Sequence, residues 1–267
     1  MNKETIKTID QMYYDGKLKS AMDTWKARAR ENWDFLIGID GREGAGKSVF
    51  AQQMGLYLDP TLCLDRIVFT GEQFMDAIKK AEKYECIIFD EAFGALSSTN
   101  AIRGFNRTIM KALREIRRKN LFLIIVMPSF FDFTKYIALH RSIALFHVYV
   151  DENYKRGRFL GFDRKKKNDL YIKGKEFYNY TAVKSSGWGT FAKGWAVDYA
   201  AYDRKKEVST DEAEDENMGM RDAWSMRDNL ILKAKEDFKW DQKRIAEEFK
   251  LTQQRVSQIL KKQLEDK

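Results

Sequence analysis

The chain has 267 residues, of which 44% are hydrophobic and 13% aromatic, which suffices for one full α/β core with small appended modules. A net charge of +8 and a pI near 9.2 favour polyanionic partners, nucleic acid ahead of a membrane surface. The two cysteines, Cys63 and Cys86, argue against a disulfide scaffold or a cysteine metal site. The longest apolar run, 121–127, is too short to span a bilayer, so we expect a cytoplasmic protein without a membrane span.

The first 150 residues contain a helical lead-in followed by alternating strands and helices. Residues 1–31 are predicted to form a polar helical lead-in, because Leu18, Met22 and Trp25 recur at helical spacing. We expect it to pack on the core or on a neighbouring subunit. In the predicted core, 32–150, short apolar runs alternate with helical segments, which is typical of a mostly parallel sheet covered on both faces. The predicted strands are 35–39, 67–69, 87–89, 121–126 and 143–150.

A glycine-rich segment follows the first predicted strand and fits the pattern G-x-x-x-x-G-K-S. Its glycines would let backbone N–H groups surround a phosphate, with the dipole of the following helix in support. Lys47 would reach the β and γ oxygens of ATP, and the Ser48 hydroxyl would ligate Mg²⁺. The alternative is a glycine-rich loop met by chance. The residues predicted to bind ATP are Gly41, Arg42, Glu43, Gly44, Ala45, Gly46, Lys47, Ser48 and Val49.

An acidic pair, Asp90-Glu91, ends the apolar run 86–89 in the manner of a Walker B strand. Asp90 would hold Mg²⁺ through its water shell, together with Ser48. Glu91 would orient and deprotonate the attacking water, so that Lys47 and Glu91 are the predicted catalytic residues. Alternatively, the two acids cap a following helix. The pair resembles the catalytic-glutamate division of P-loop proteins, which are mainly ATPases, and the sequence contains no N-K-x-D motif for guanine.

A helix is predicted between the third and fourth strands, because five apolar residues recur on one of its faces. These are Ile102, Phe105, Ile109, Leu113 and Ile116. Arginines occupy the opposite face and the helix end. The alternative to a functional role for them is a solvent-exposed basic surface. The arginines are Arg103, Arg107, Arg114, Arg117 and Arg118.

The segment 114–129, with its basic helix, apolar strand and Pro128-Ser129, and the following 132–146 with Arg141 resemble the FtsK-HerA family of DNA-pumping ATPases. The likeness covers roughly 34–150. It implies a RecA-like P-loop NTPase fold, Mg²⁺ and ATP as cofactors, DNA-stimulated ATP hydrolysis, double-stranded DNA as a partner and a homo-oligomeric ring. In such rings one subunit lends an arginine to its neighbour's γ-phosphate, and the five arginines of the predicted helix are the candidates.

Two further features refine this resemblance. The short chain suits a viral or mobile-element member, near the zonula-occludens-toxin-like and genome-packaging ATPases, with a viral or mobile-element protein as a possible partner and the host cytoplasm as its location. Where the family has a sensor glutamine near the end of the fourth strand, this chain has Val126-Met127, so Ser129 or Asn120 would have to substitute.

The segment 151–206 is predicted to be a small basic, aromatic, β-rich module. It has 14 Lys or Arg against 7 Asp or Glu. The stretches 157–162 and 169–174 are interpreted as antiparallel strands. Two interpretations of its aromatics stay open: stacking platforms for nucleic acid, or the core of the module. They are Tyr171, Phe177, Tyr178, Tyr180, Trp188 and Trp195.

The remaining sequence is predicted to be an acidic solvated linker, 207–220, and a helical tail, 221–267. Residues 242–260 fit a helix-turn-helix in which Thr252 caps the second helix and Lys250 stands at the turn position usually held by Gly. The alternative is a three-helix bundle that serves protein contacts. Exposed side chains predicted to contact DNA are Gln253, Gln254, Arg255, Ser257 and Gln258.

Two functions follow as hypotheses. The first is an ATP-driven DNA translocation, packaging or transfer motor of a virus or mobile element. The second is an ATP-dependent DNA-binding regulator or loader, in which ATP controls assembly rather than movement.

Overall fold

A computed structural model describes residues 12–90 and 99–265, with the side chains of these residues except those at 99–105, 212–223 and 262–265. Within these ranges no helix combines the length and hydropathy needed to cross a membrane. The helices and strands are α1 (Gly16–Arg30), β1 (Phe35–Gly41), α2 (Lys47–Leu58), β2 (Ile67–Val68), α3 (Gly71–Lys80), β3 (Cys86–Phe89), α4 (Thr99–Lys119), β4 (Phe122–Val126), a π-helical turn (Ile137–Arg141), β5 (Ser142–Tyr149), β6 (Arg158–Phe162), α5 (Arg164–Gly174), β7 (Gly187–Thr190), α6 (Tyr199–Glu236), α7 (Gln242–Glu248) and α8 (Gln253–Glu265).

Seven strands of the described residues form one sheet in the order β2-β3-β4-β1-β5-β6-β7. The first five strands along the sheet are parallel to their neighbours, whereas β6 and β7 are antiparallel. The prediction of an α/β fold with a mostly parallel sheet is therefore confirmed, and the five predicted strands all form. Their apolar runs have no polar alternation because both faces of the sheet are covered.

Alternate residues of the strands point to opposite faces of the sheet and pack into two separate apolar cores. Ile37 and Ile39 face a core that contains Met22 of α1 and Phe50 of α2. Leu36 lies in the other core, with residues of α3, α4, α5 and β6, including Ile78, Ile109, Ile116, Leu170 and Phe162. The helical lead-in therefore contributes to the core of its own chain, as one of the two alternatives predicted.

The segment 151–206 is not a separate module, and this corrects the sequence-based division. Strands β6 and β7 extend the central sheet beyond β5. The predicted strand at 169–174 is wrong, because these residues belong to α5, which Asp163 caps by accepting from the N–H groups of Lys165 and Lys166. Its buried residues recur at helical rather than alternating spacing: Lys167, Leu170, Tyr171 and Gly174.

The chain divides into two compact units, one ending at Thr210 and one beginning at Asp211. The predicted acidic linker, 207–220, lies within helix α6. The prediction of an irregular, solvated linker is therefore wrong. Four glutamates in this segment are good helix formers, and no proline occurs between 199 and 236.

The second unit contains a small core shared by the end of α6, α7 and α8. Ile231, Ile245 and Val256 are fully buried in it. The Lys250 backbone adopts the predicted left-handed conformation, with φ of 50°, and Thr252 caps α8 by accepting from the Arg255 N–H. The predicted two-helix geometry thus forms, on a three-helix core.

Candidate functional site

The carboxyl ends of β1 and β4 meet at a topological switch point of the sheet. The connection from β1 packs α2 on one face, whereas the connections into β3 and β4 pack α3 and α4 on the other. Ligands of open parallel sheets bind in the crevice that such a reversal leaves at the carboxyl ends of the strands. The glycine-rich loop, residues 41–48, follows β1 at this edge, and Asp90 follows β3 at the same edge.

The backbone of this loop depends on glycine at three positions. Gly41, Gly44 and Gly46 have φ values of 133°, 71° and 102°. A Cβ atom on Gly41 would lie 2.0 Å from the Val148 carbonyl oxygen, so no other residue fits there. A Cβ atom on Gly46 would lie 3.3 Å from the ring of Phe191.

The loop joins a helix N-terminus that lacks a side-chain cap. Helix α2 begins at Lys47, and its N-cap residue, Gly46, has no side chain to bond the N–H groups of the first turn. The Lys47 ammonium donates to the carbonyl oxygens of Gly41 at 2.7 Å and Arg42 at 3.1 Å, which holds it across the loop. Ser48 and Val49 are half-buried in the first turn of α2. Backbone donors, a helix dipole and an ammonium group thus converge at one place, a combination suited to phosphate.

Asp90 is buried at the edge of the sheet, and its side chain accepts a hydrogen bond. Its N–H donates to the Val68 carbonyl at 2.9 Å, which continues the β2–β3 ladder by one residue. Its Oδ2 accepts from the Tyr202 hydroxyl at 2.7 Å. The predicted catalytic residue Glu91 lies outside the described residues, so its role stays a prediction. Within the described chain, no cluster of three or more His, Cys, Asp or Glu side chains could hold a metal ion.

A second buried carboxylate, Asp40, directly precedes the loop. It accepts from the Phe130 N–H at 2.9 Å and from the Tyr180 hydroxyl, and His147 Nδ1 lies 2.9 Å from its other oxygen. The Tyr180 ring stacks on His147 at 4.1 Å, and its hydroxyl lies 3.3 Å from Ser129 Oγ. Burial, followed by the charge of Asp40, raises the pKa of Tyr180, so this phenol stays a donor. These groups fix the end of β1 to the end of β4.

The residues considered as substitutes for the sensor glutamine fall at opposite edges of the sheet. Asn120 precedes β4, donates to Asn32 and therefore lies at the amino edge, away from the glycine-rich loop. Ser129 follows β4 at the carboxyl edge, beside Tyr180. Val126 and Met127 are core side chains. Of these candidates, only Ser129 has the position that the prediction requires.

The candidate arginines differ in what surrounds them. Arg117 forms an ion pair with Asp34 at 3.4 Å, and Arg118 pairs with Glu115 at 2.7 Å. Both lie at the end of α4 that leads to the amino edge of the sheet. Arg107 and Arg114 are exposed and form no ion pair with the part of the chain that the structure describes, and the Arg103 side chain lies outside that part. An arginine that the prediction missed, Arg156, has Nη2 3.8 Å from the Cβ position of Gly44.

The basic and aromatic residues of 151–206 divide between both interpretations. Tyr171 is buried, and Trp195 packs against the core, as expected of core aromatics. Phe177, Tyr178 and Trp188 are exposed. Lys167, within the basic run 164–167, is fully buried, with its Nζ donating to the Ala138 carbonyl and to Asn168 Oδ1.

The second unit exposes the side chains predicted to contact DNA. On α8, Gln253, Gln254, Arg255 and Gln258 are exposed and Ser257 is half-buried. Arg255 donates to Gln258 at 3.2 Å, so the two side chains lie on one face. Asparagine, glutamine and arginine are the side chains that read base edges most often.

No protein-family model matches the chain, and a search of the curated proteins found no match either. Of the groups not predicted to lie at this site, Tyr180, Tyr202 and Arg156 are distant from the motifs along the chain, whereas Asp40 directly precedes the glycine-rich loop. A signal was available only for Asp40, because an acid inside an otherwise apolar strand requires a partner when buried.

Proposed function

We propose that this protein is a Mg²⁺-dependent ATPase with a RecA-like P-loop core that acts on DNA as a translocation, packaging or transfer motor of a virus or mobile element. The ATPase proposal is supported by the groups that lie at the edge of the sheet where β1 and β3 end. This edge combines the glycine-rich loop, the uncapped start of α2, Lys47 and the buried carboxylate Asp90. Resemblance of 114–146 to DNA-pumping ATPases supports the motor.

The chain's own residues supply most of what hydrolysis requires. Backbone N–H groups of the loop and of the first turn of α2 would bind the phosphates, and Lys47 would exchange its two loop carbonyls for phosphate oxygens. Ser48 and Asp90 would hold Mg²⁺, which neutralises charge on the transferring phosphoryl group when bound. Glu91 would take a proton from the attacking water. The donor set fits a hard cation bound through one carboxylate, a hydroxyl and phosphates.

Double-stranded DNA is the proposed partner, and the α7–α8 pair is its proposed contact. The exposed Gln and Arg side chains of α8 support a recognition helix. A homo-oligomer, with an arginine supplied between subunits, would complete the active site.

The second candidate is a DNA-binding regulator or loader whose assembly ATP controls. A specific observation favours it: the position of the family's sensor glutamine is occupied by buried apolar side chains, Val126 and Met127. Neither can hydrogen-bond a γ-phosphate, so coupling of hydrolysis to movement would need another route.

Two substitutions test the ATPase. Lys47→Ala should abolish nucleotide binding, whereas Glu91→Gln should bind ATP and retain it without turnover, because only water activation is removed. Steady-state phosphate release and equilibrium binding of a fluorescent ATP analogue measure the two effects. Wild-type turnover in Glu91→Gln would refute the assignment of the catalytic base.

Motor and regulator are separated by a triplex-displacement assay with DNA and ATP. A motor strips the third strand in one direction and requires hydrolysis. A regulator shows DNA-stimulated turnover or ATP-dependent assembly on DNA, and leaves the third strand in place.

A further inference from the structure

The carboxylate proposed to hold Mg²⁺ is itself held by a tyrosine hydroxyl. The Tyr202 Oη donates to Asp90 Oδ2 at 2.7 Å, and each residue is only 2% exposed. A short hydrogen bond to an ionised carboxylate in a dry site is stronger than one between neutral groups in water. Tyr202 lies on α6, whereas Asp90 follows β3, so the contact is a specific tertiary link.

The Tyr202 ring is fixed from several sides. It packs against Phe69 at 5.5 Å and against Trp195 at 4.9 Å between ring centres. One turn further along α6, the Lys205 ammonium donates to the carbonyl oxygens of Leu64 and Ile67 at 2.9 and 2.8 Å. Ser209, on the same helix, accepts from Gln73 at 2.7 Å. The hydroxyl therefore reaches Asp90 from a rigidly anchored helix.

Such a donor restricts the orientation of the carboxylate. An ionised carboxylate has about four lone-pair positions, and the hydrogen bond from Tyr202 to Oδ2 occupies one of them. The hydrogen bond also restricts rotation about the Cβ–Cγ bond of Asp90. This rotational entropy is therefore lost on folding and does not have to be lost when a metal binds. Outer hydrogen bonds of this kind orient metal ligands, and their removal typically weakens metal binding about 10- to 100-fold.

We propose that Tyr202 is a positioning residue that orients Asp90 toward Mg²⁺ and thereby sets the metal affinity of the nucleotide site. This inference rests on the proposed function, since it assumes that Mg²⁺-nucleotide binds at this edge of the sheet. In this role Tyr202 acts on the metal through Asp90 and not by contact with the metal or the nucleotide.

Tyr202→Phe tests the proposal, because it removes one oxygen atom and keeps the ring. Tyr199→Phe is the matched control: Tyr199 lies one turn earlier on α6, is exposed and makes no hydrogen bond to the described residues through its hydroxyl. Binding of a fluorescent ADP analogue to the full chain is titrated with Mg²⁺ and, separately, in EDTA. For Tyr202→Phe we expect the Mg²⁺ concentration at half-maximal enhancement to rise about tenfold or more, with affinity in EDTA unchanged. Tyr199→Phe should match the wild type.

The outcomes separate this inference from the proposed function. A wild-type chain that binds no nucleotide in Mg²⁺ refutes the proposed function itself. A wild-type chain with Mg²⁺-enhanced binding, but the same Mg²⁺ midpoint in Tyr202→Phe, overturns the positioning role alone. A loss of affinity in EDTA as large as the loss in Mg²⁺ also overturns it, because a general structural defect would then explain the variant. In an Asp90→Asn background, Tyr202→Phe should cause no further shift, and additive shifts would contradict an action through Asp90.

Discussion

Replacement of the buried Lys167 by methionine should change how the stability of the first unit depends on pH. Burial, followed by the charge of Arg164, lowers the pKa of Lys167 from 10.5 to about 7. The unfolded chain therefore binds a proton that the native chain lacks between about pH 7 and pH 10.5. In this window wild-type stability gains up to about 1.4 kcal/mol per pH unit from this group, roughly 4 to 5 kcal/mol over the whole window. Below pH 7 both states are protonated and the penalty for burying the charge is fully present.

The gain is absent in Lys167→Met, which has no ionisable group and a side chain of similar length. Urea unfolding at pH 6, 7, 8 and 9 measures the free energy of unfolding of wild type and variant. The stability of the variant relative to wild type should be highest at pH 6 and should fall as the pH rises toward 9. Lys165→Met, at an exposed position of the same helix, should show no such trend. A difference between Lys167→Met and wild type that stays constant from pH 6 to pH 9 would refute a neutral buried lysine.

Two further predictions concern the proposed oligomer and the tail. Alanine at Arg107 or Arg114 should lower turnover while nearly sparing ATP affinity, and mixing with a Lys47→Ala subunit should partly restore it; Arg156→Ala should not be rescued, because Arg156 lies beside the loop of its own chain. Full turnover in all the arginine variants, or a hydrolysing monomer, would eliminate the shared site. Truncation after Thr210 should preserve ATP hydrolysis and reduce both duplex-DNA affinity and its salt dependence. Unchanged affinity and salt slope in the truncated chain would restrict α7–α8 to protein contacts.

The features predicted correctly are those with a local signal. Apolar runs locate β1 to β5, and the turn at Lys250 follows from a short helix-turn-helix pattern. The error at 169–174 also arose locally. The alternation of polar and apolar residues there indicated a strand, and the helix start signalled by Asp163, a good N-cap residue directly before α5, was given too little weight. The predicted linker failed for a different reason: a charged segment without apolar periodicity still forms a helix when it contains several glutamates and no proline.

The partners of the buried acids could not be predicted, because they are far apart along the chain. Tyr202 and Asp90 are separated by 112 positions, and Tyr180 and Asp40 by 140. No short motif contains both members of either pair. Tyrosine occurs both in cores and at surfaces, so its residue type does not indicate a buried partner. Only the packing of α6 and of the segment after α5 brings these hydroxyls to the carboxyl edge of the sheet.

The hydrogen bonds around Asp40 bear on how the glycine-rich loop can respond to a ligand. Asp40 is fully buried, precedes Gly41, and binds the Phe130 N–H and the Tyr180 hydroxyl. A shift of the loop that moved Asp40 would break these two hydrogen bonds, at a cost of about 1 kcal/mol each. The seam between β1 and β4 is therefore held in place, and the loop is preorganised. Any structural change that accompanies the proposed hydrolysis is expected at groups outside this seam, such as Asp90 with its link to α6.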